Sequence, residues 1–279
     1  MKTRVITGIF LTALYVALYF AAKTIVFPIF WTVACLIGLY EMFKCIGVLY
    51  KPFLTVPFYL LGAVMPITIF LCEDVHNWEL GFFIAIFFIM FLCFMTALFS
   101  KGEVPLDQMA ISFTSGIYIV IGFSLMQATV EFPFGKYLWL IGLLGTVMTD
   151  VFAYLCGRFL GRHKLIPDVS PKKTVEGSIG GALFGMLFIV LISLLIRAMD
   201  NSVEIHYLRL GICAFLIVIA SQIGDLLMSF IKRHYGIKDY GIIFPGHGGM
   251  LDRFDSHLAV ALLLFGYNQM WPIFTEIIP

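Results

Sequence analysis

Residues 5–43 read VITGIFLTALYVALYFAAKTIVFPIFWTVACLIGLYEMF, and the number of helices in that run decides the fold. A bilayer-spanning helix takes about 20 mostly apolar residues. The stretch is therefore either one long bent helix or two helices parted at its only breakers, Lys23 and Pro28. Two helices, over 5–22 and 25–43, suit a length that crosses a bilayer twice. Seven more apolar segments follow, at 54–72, 80–99, 108–128, 137–157, 177–197, 207–230 and 256–273. The expected fold is thus all-α: a polytopic integral membrane protein with nine transmembrane helices. The first run is too long for a signal peptide and leads straight into further spans, so it is read as a retained helix.

Composition leads to the same class. Of 279 residues, 61% are hydrophobic and 13% charged, against roughly 25% charged in soluble domains. Such a chain cannot cover itself with polar surface, so lipid is its solvent. The six cysteines are scattered through apolar runs without a CxxC pair and read as small apolar residues. A net charge of +1 argues neither for nor against an anionic partner, because the distribution of the charges matters more than their sum; no nucleic-acid partner is expected.

Loop charges test the count. With the N-terminus in the cytoplasm and nine crossings, the inner segments hold 14 of the 18 Lys and Arg: Lys2, Arg4, Lys44, Lys51, Lys101, Arg158, Arg162, Lys164, Lys172, Lys173, Lys232, Arg233, Lys238 and Arg253. The acidic pair Glu73-Asp74 falls outside. This asymmetry follows the positive-inside rule, and merging two spans would spoil it downstream. The expected topology is N-in, C-out, in the cell membrane. By polarity the chain divides into residues 1–135, apolar helices read as a scaffold and a candidate homodimer interface, and residues 136–279, which carry the chemistry.

That chemistry begins with acids at membrane depth. Asp150 lies in the sixth span and Asp225 in the eighth. A lone carboxylate at the bilayer centre costs about 2.5–3.5 kcal/mol on insertion scales, so each should face a cavity or a partner. Ser221, Asp225 and Ser229 repeat every four residues, as do Asp150, Tyr154 and Arg158, which gives each helix one polar stripe. Thr146, Thr149 and Gln222 read as helix-packing hydrogen bonds.

The loop after span eight, KRHYGIKDYGIIFPGHGGMLDRFD over 232–255, mixes cations, acids, histidines and glycines. Glycines let backbone N–H groups approach an anion, and cations beside them make a phosphate site. Acids there would repel phosphate unless a divalent metal intervenes, as Mg²⁺ does between carboxylates and polyphosphate. A second basic, glycine-rich loop runs from Arg158 through Arg162 to Ser170-Pro171-Lys172-Lys173-Thr174-Val175-Glu176-Gly177. It lacks the P-loop spacing. Arg158 and Arg162 serve either a substrate or merely topology and anionic lipid.

The pattern Ser229-x-x-Lys232-Arg233, Lys238-Asp239-x-Gly241, Phe244-Pro245-x-His247-Gly248-Gly249-x-x-Asp252-Arg253-x-Asp255 resembles the signature of the phosphatidate cytidylyltransferases (CDP-diacylglycerol synthases). The block from Asp150 to Gly177 is also similar to that family, and the short chain looks more like its bacterial members. The resemblance implies a membrane nucleotidyltransferase: CTP and phosphatidate give CDP-diacylglycerol and pyrophosphate. It implies Asp225 and Asp252 as ligands of Mg²⁺ in a one- or two-metal centre, with Asp150, Glu176 and Asp255 as weaker candidates. Lys232, Arg233, Lys238 and Arg253 would hold CTP phosphates. Lys173, Arg158 and Arg162 would hold the phosphatidate phosphate or the remaining CTP phosphates, with Lys172, Thr174, Ser229, Gly248 and Gly249 completing the substrate contacts. His247 would orient a phosphate. Two rivals share the membrane setting: a CTP-dependent lipid kinase, and a cation-coupled transporter using Asp150 and Asp225.

Overall fold

The computed structural model describes residues 2–72 and 77–277, with the side chains of 2–5 and 77 left out of the description. Glu73 and Asp74, read above as an outer acidic loop, lie outside the described residues, and so do the side chains of Lys2 and Arg4.

Nine helices appear among the described residues, in the expected order. The run 5–43 is two helices, α1 (Lys2–Ala21) and α2 (Val26–Ile46), with Lys23 in a left-handed turn conformation between them. There follow α3 (Pro52–Leu71), α4 (Asn77–Phe99), α5 (Leu106–Glu131), α6 (Gly135–Leu160), α7 (Val175–Met199), α8 (Tyr207–His234) and α9 (Leu251–Met270). The seven from α2 to α8 are long and apolar enough to cross a membrane. At about 1.5 Å per residue, 20–28 residues match or exceed a hydrocarbon core of about 30 Å. Four short strands add two antiparallel ribbons: β1 (Lys164–Ile166) with β2 (Ser170–Thr174), and β3 (Val203–Ile205) with β4 (Phe274–Glu276).

The last span departs from its expected bounds. It begins at Leu251, five residues before the predicted 256, so Asp252, Arg253 and Asp255 are helical residues and not loop residues. Their charge hid the helix start from a reading by hydropathy.

The chain forms two compact units, Met1–Glu131 with His234–Phe254, and Phe132–Arg233 with Asp255–Pro279. In the first, α2 packs on α3 and α5. Its core is aromatic: Trp31, Phe123 and Phe254 meet at centroid distances of 5.5–6.0 Å. Phe254, from the first turn of α9, is fully buried there. Helix α4 is largely exposed, as a lipid-facing helix is.

In the second unit, α6 and α7 make the most extensive contact. Small residues let helix backbones approach where lipid offers no competing hydrophobic drive. A Cβ at Gly181 would sit 2.7 Å from the Thr149 carbonyl oxygen and 2.8 Å from the Ala153 Cβ. Gly181→Ala is therefore expected to lower stability by about 1–3 kcal/mol through overpacking. The shift of the unfolding midpoint in detergent measures it, and an unchanged midpoint would show that the two helices part freely.

Candidate active site

The polar residues of the second unit converge at the C-terminal ends of α6 and α8 and the N-terminal end of α7. On β2, Lys172 is exposed and Lys173 is half-buried. Lys173 Nζ lies 2.6 Å from Asp225 Oδ2, and Ser229 Oγ donates to Asp225 Oδ1 at 3.1 Å. The acid expected to need a partner thus has one on each oxygen. Ser229 supplies one, as the four-residue stripe predicts.

Helix packing holds this pair in register. Gln222 Nε2 donates to the Ser178 carbonyl at 3.2 Å, and the Ser178 hydroxyl bonds the Gln222 amide oxygen. Gln222 is the cross-helix bond expected of it. Thr146 and Thr149 are not: each donates within α6 to the carbonyl four residues back, the local bond that hydroxyls near a helix backbone prefer. At Gly224 the backbone of α8 meets α9, where a Cβ would fall 2.8 Å from the Asp255 carbonyl oxygen. Asp255 accordingly feels the charges of Asp225, Asp150 and the buried Lys232.

Other residues of the second basic loop have local duties. Thr174 caps α7, accepting the Gly177 N–H at 3.1 Å. Glu176 accepts the N–H groups of Arg162 and His163 at 3.0 and 3.2 Å and meets His163 Nδ1 at 2.6 Å. Its carboxylate folds the 161–164 turn. Arg158 and Arg162 project their side chains outward, and the Arg158 guanidinium lies 5.9 Å from the Phe159 ring centre. Asp150 is exposed. Arg233 Nε donates to the Val169 carbonyl at 3.4 Å, tethering the β1–β2 ribbon to the end of α8.

The first unit holds the remaining predicted residues. Asp252 Oδ2 accepts the Tyr240 N–H at 2.7 Å and the Gly249 N–H at 2.9 Å. This buried carboxylate therefore folds the 240–249 loop. In that loop, Phe244 N donates to Gly248 O at 2.9 Å, closing a tight turn with Gly248 at φ +84°. That backbone region is open to glycine and costly for other residues. Lys238 is exposed. His247 Nδ1 and Arg253 Nε are buried and have no hydrogen-bond partner among the described residues. Buried polar groups are ordinarily satisfied, so these two nitrogens suit an incoming anion.

Among the described residues no three His, Cys, Asp or Glu side chains gather at metal-ligating spacing. The donors present are carboxylate oxygens, which suit a hard divalent cation. Magnesium is commonly held by one or two carboxylates plus substrate phosphates, a mode that needs no closed protein cage.

Sequence reasoning missed Glu41. This carboxylate lies in α2, within the stretch read as scaffold, and is 2% exposed. It accepts the N–H groups of Met250 and Leu251, both at 2.9 Å. The available signal was a lone acid near one end of an apolar span.

The chain resembles known proteins along its whole length. A phosphatidate cytidylyltransferase of Staphylococcus aureus (strain COL) is 35% identical over 268 residues, covering 95% of this chain and 97% of that protein. One of Staphylococcus saprophyticus is 34% identical over 216 residues, 76% of this chain and 79% of the relative. One of Staphylococcus epidermidis is 33% identical over 272 residues, 95% and 97% of the two chains. The family profile described as the cytidylyltransferase family matches residues 2–271, and this chain belongs to that family.

Proposed function

We propose that this chain is a phosphatidate cytidylyltransferase that makes CDP-diacylglycerol from CTP and phosphatidate, with pyrophosphate as the second product. The observation that carries the reading is the Lys173–Asp225 pair at 2.6 Å, set in an otherwise apolar helical chain, with Ser229 of the signature donating to the same carboxylate. Relatives over 95% of the chain bear the same activity in their names.

An oxygen of the phosphatidate phosphate attacks the α-phosphorus of CTP. A new phosphoanhydride bond forms, the α–β bond breaks, and pyrophosphate leaves with its electron pair. The attacking oxygen is already anionic, so no general base is required. Positioning and charge neutralisation then supply the rate. Mg²⁺, when bound, neutralises phosphate charge and aligns the in-line displacement. Asp225 and Asp252 are the residues we assign to hold it, with Asp255 and Asp150 as further oxygen donors. Lys173 orients a substrate phosphate, and its contact with Asp225 keeps the ammonium in place beforehand. Lys232, Arg233, Lys238 and Arg253 neutralise CTP phosphates, and His247 contacts a phosphate through its buried ring nitrogen.

The charge asymmetry of the loops supports an N-in, C-out arrangement with these groups facing the cytoplasm, where CTP is available and phosphatidate presents its phosphate at the interface. A CTP-dependent lipid kinase would share the membrane helices, but it would need a base for a hydroxyl. Labelled CTP separates the two. The α-³²P label is expected in chloroform-extractable lipid, with pyrophosphate released. Transfer of the γ-label with free CDP left over would establish the kinase instead.

A further inference from the structure

We infer that Glu41, on α2, is a positioning residue for cytidylyl transfer: its carboxylate sets the start of α9 and thereby the placement of Asp252 and Arg253. The inference rests on the reading of those two residues as members of the binding set.

Helices leave their first N–H groups without partners, and a side-chain oxygen normally caps them. The residue before α9 is Met250, which has no such oxygen. Glu41 does the work from another helix. Oε1 accepts the Met250 N–H and Oε2 the Leu251 N–H, each at 2.9 Å. Both carboxylate oxygens are thus engaged by the two residues directly ahead of Asp252. The next layer out is Asp252 itself, whose Oδ2 accepts from Gly249 and Tyr240. The two carboxylates act in series. Glu41 fixes where the helix begins, and Asp252 folds the glycine loop back onto that beginning.

The loop closes on Glu41 tightly. A Cβ at Gly249 would fall on the Glu41 carboxylate, and so would one at Gly241. Both glycines belong to the signature stretch, and their missing side chains leave room for a residue 200 positions upstream. Beyond this frame lie the buried, unpartnered His247 Nδ1 and Arg253 Nε. An acid whose purpose was helix association alone could stand anywhere along α2. Among the described residues, this one bonds the backbone that aims the phosphate-binding side chains.

The test uses full-length protein purified in detergent. Glu41→Gln keeps the shape but turns an NH₂ group toward one of the two N–H donors. Loss of one charge-assisted hydrogen bond at this frame is expected to weaken CTP binding about tenfold. The readouts are equilibrium binding of labelled CTP with Mg²⁺ in the absence of phosphatidate, and the KM for CTP in turnover. Both should rise together. A role confined to folding would lower the active fraction and leave both constants at wild-type values, and that result overturns the inference. If Glu41→Gln does not purify, Gly241→Ala crowds the same carboxylate while keeping it, and an unchanged CTP affinity in that variant overturns the inference equally. Asp252→Asn runs alongside. Full turnover in Asp252→Asn would remove the site reading itself, whereas a dead Asp252→Asn beside a normal Glu41→Gln would remove only the role of Glu41.

Discussion

Asp225→Asn is expected to lower the rate of CDP-diacylglycerol formation by about 10³-fold, the equivalent of about 4 kcal/mol of lost charge stabilisation in the transition state. The substitution keeps the size of the side chain and leaves an oxygen for the Ser229 hydroxyl, so insertion and purification should be unaffected. Stability should change little as well. Both side chains of the Lys173–Asp225 pair are a quarter exposed, and such partly hydrated ion pairs contribute about 1 kcal/mol or less. The initial rate with α-labelled CTP at saturating Mg²⁺, normalised to monodisperse protein, measures the effect. A rate within threefold of wild type would remove Asp225 from the reaction. The double variant Lys173→Met/Asp225→Asn separates a structural pair from a reacting one. If the pair only neutralises itself, removing both charges restores turnover. If the groups act on substrate, turnover stays lost.

Asp252 permits a finer separation, because its two jobs use different properties. Holding the loop requires an oxygen that accepts from Tyr240 and Gly249. Holding a metal ion against a phosphate requires negative charge. Asp252→Asn retains an amide oxygen for the two N–H groups and loses the charge. Turnover should fall by about 10²–10³-fold with the unfolding midpoint nearly unchanged. Asp252→Ala removes the oxygen too and strands two buried donors. It should show the same loss of turnover and, in addition, about 2–3 kcal/mol of destabilisation. If Asp252→Asn turns over normally while Asp252→Ala unfolds, the residue is a loop anchor and nothing more.

Much of this protein is legible in the order of its residues. A membrane helix announces itself because about 20 apolar residues have no other stable setting. Eight predicted spans fall within their helices apart from a residue or two at the ends. The ninth starts at Leu251, ahead of its predicted bound; Asp252, Arg253 and Asp255 resemble a loop by hydropathy although they form the first turns of α9. The Ser229–Asp225 contact was legible for the same reason as the spans: residues four apart on a helix share a face. Glu176 shows the opposite case. Its motif position resembles that of a metal ligand, yet its oxygens are occupied by the Arg162 and His163 amides, a turn that no periodicity encodes.

The charge cluster near the C-terminal end was visible from spacing alone, and its acids among cations and glycines are what lead to the expectation of a metal and a polyphosphate. Tertiary structure decided which of those groups are already committed. The sequence separation between Lys173 and Asp225 conceals a 2.6 Å contact, and the separation between Glu41 and Leu251 conceals a helix cap. Local pattern determines which segments enter the membrane, since each segment meets lipid on its own. Hydrogen-bond partners distant in sequence are chosen by how the helices pack, so a lone glutamate in an apolar span acquires its role only when a distant loop closes over it.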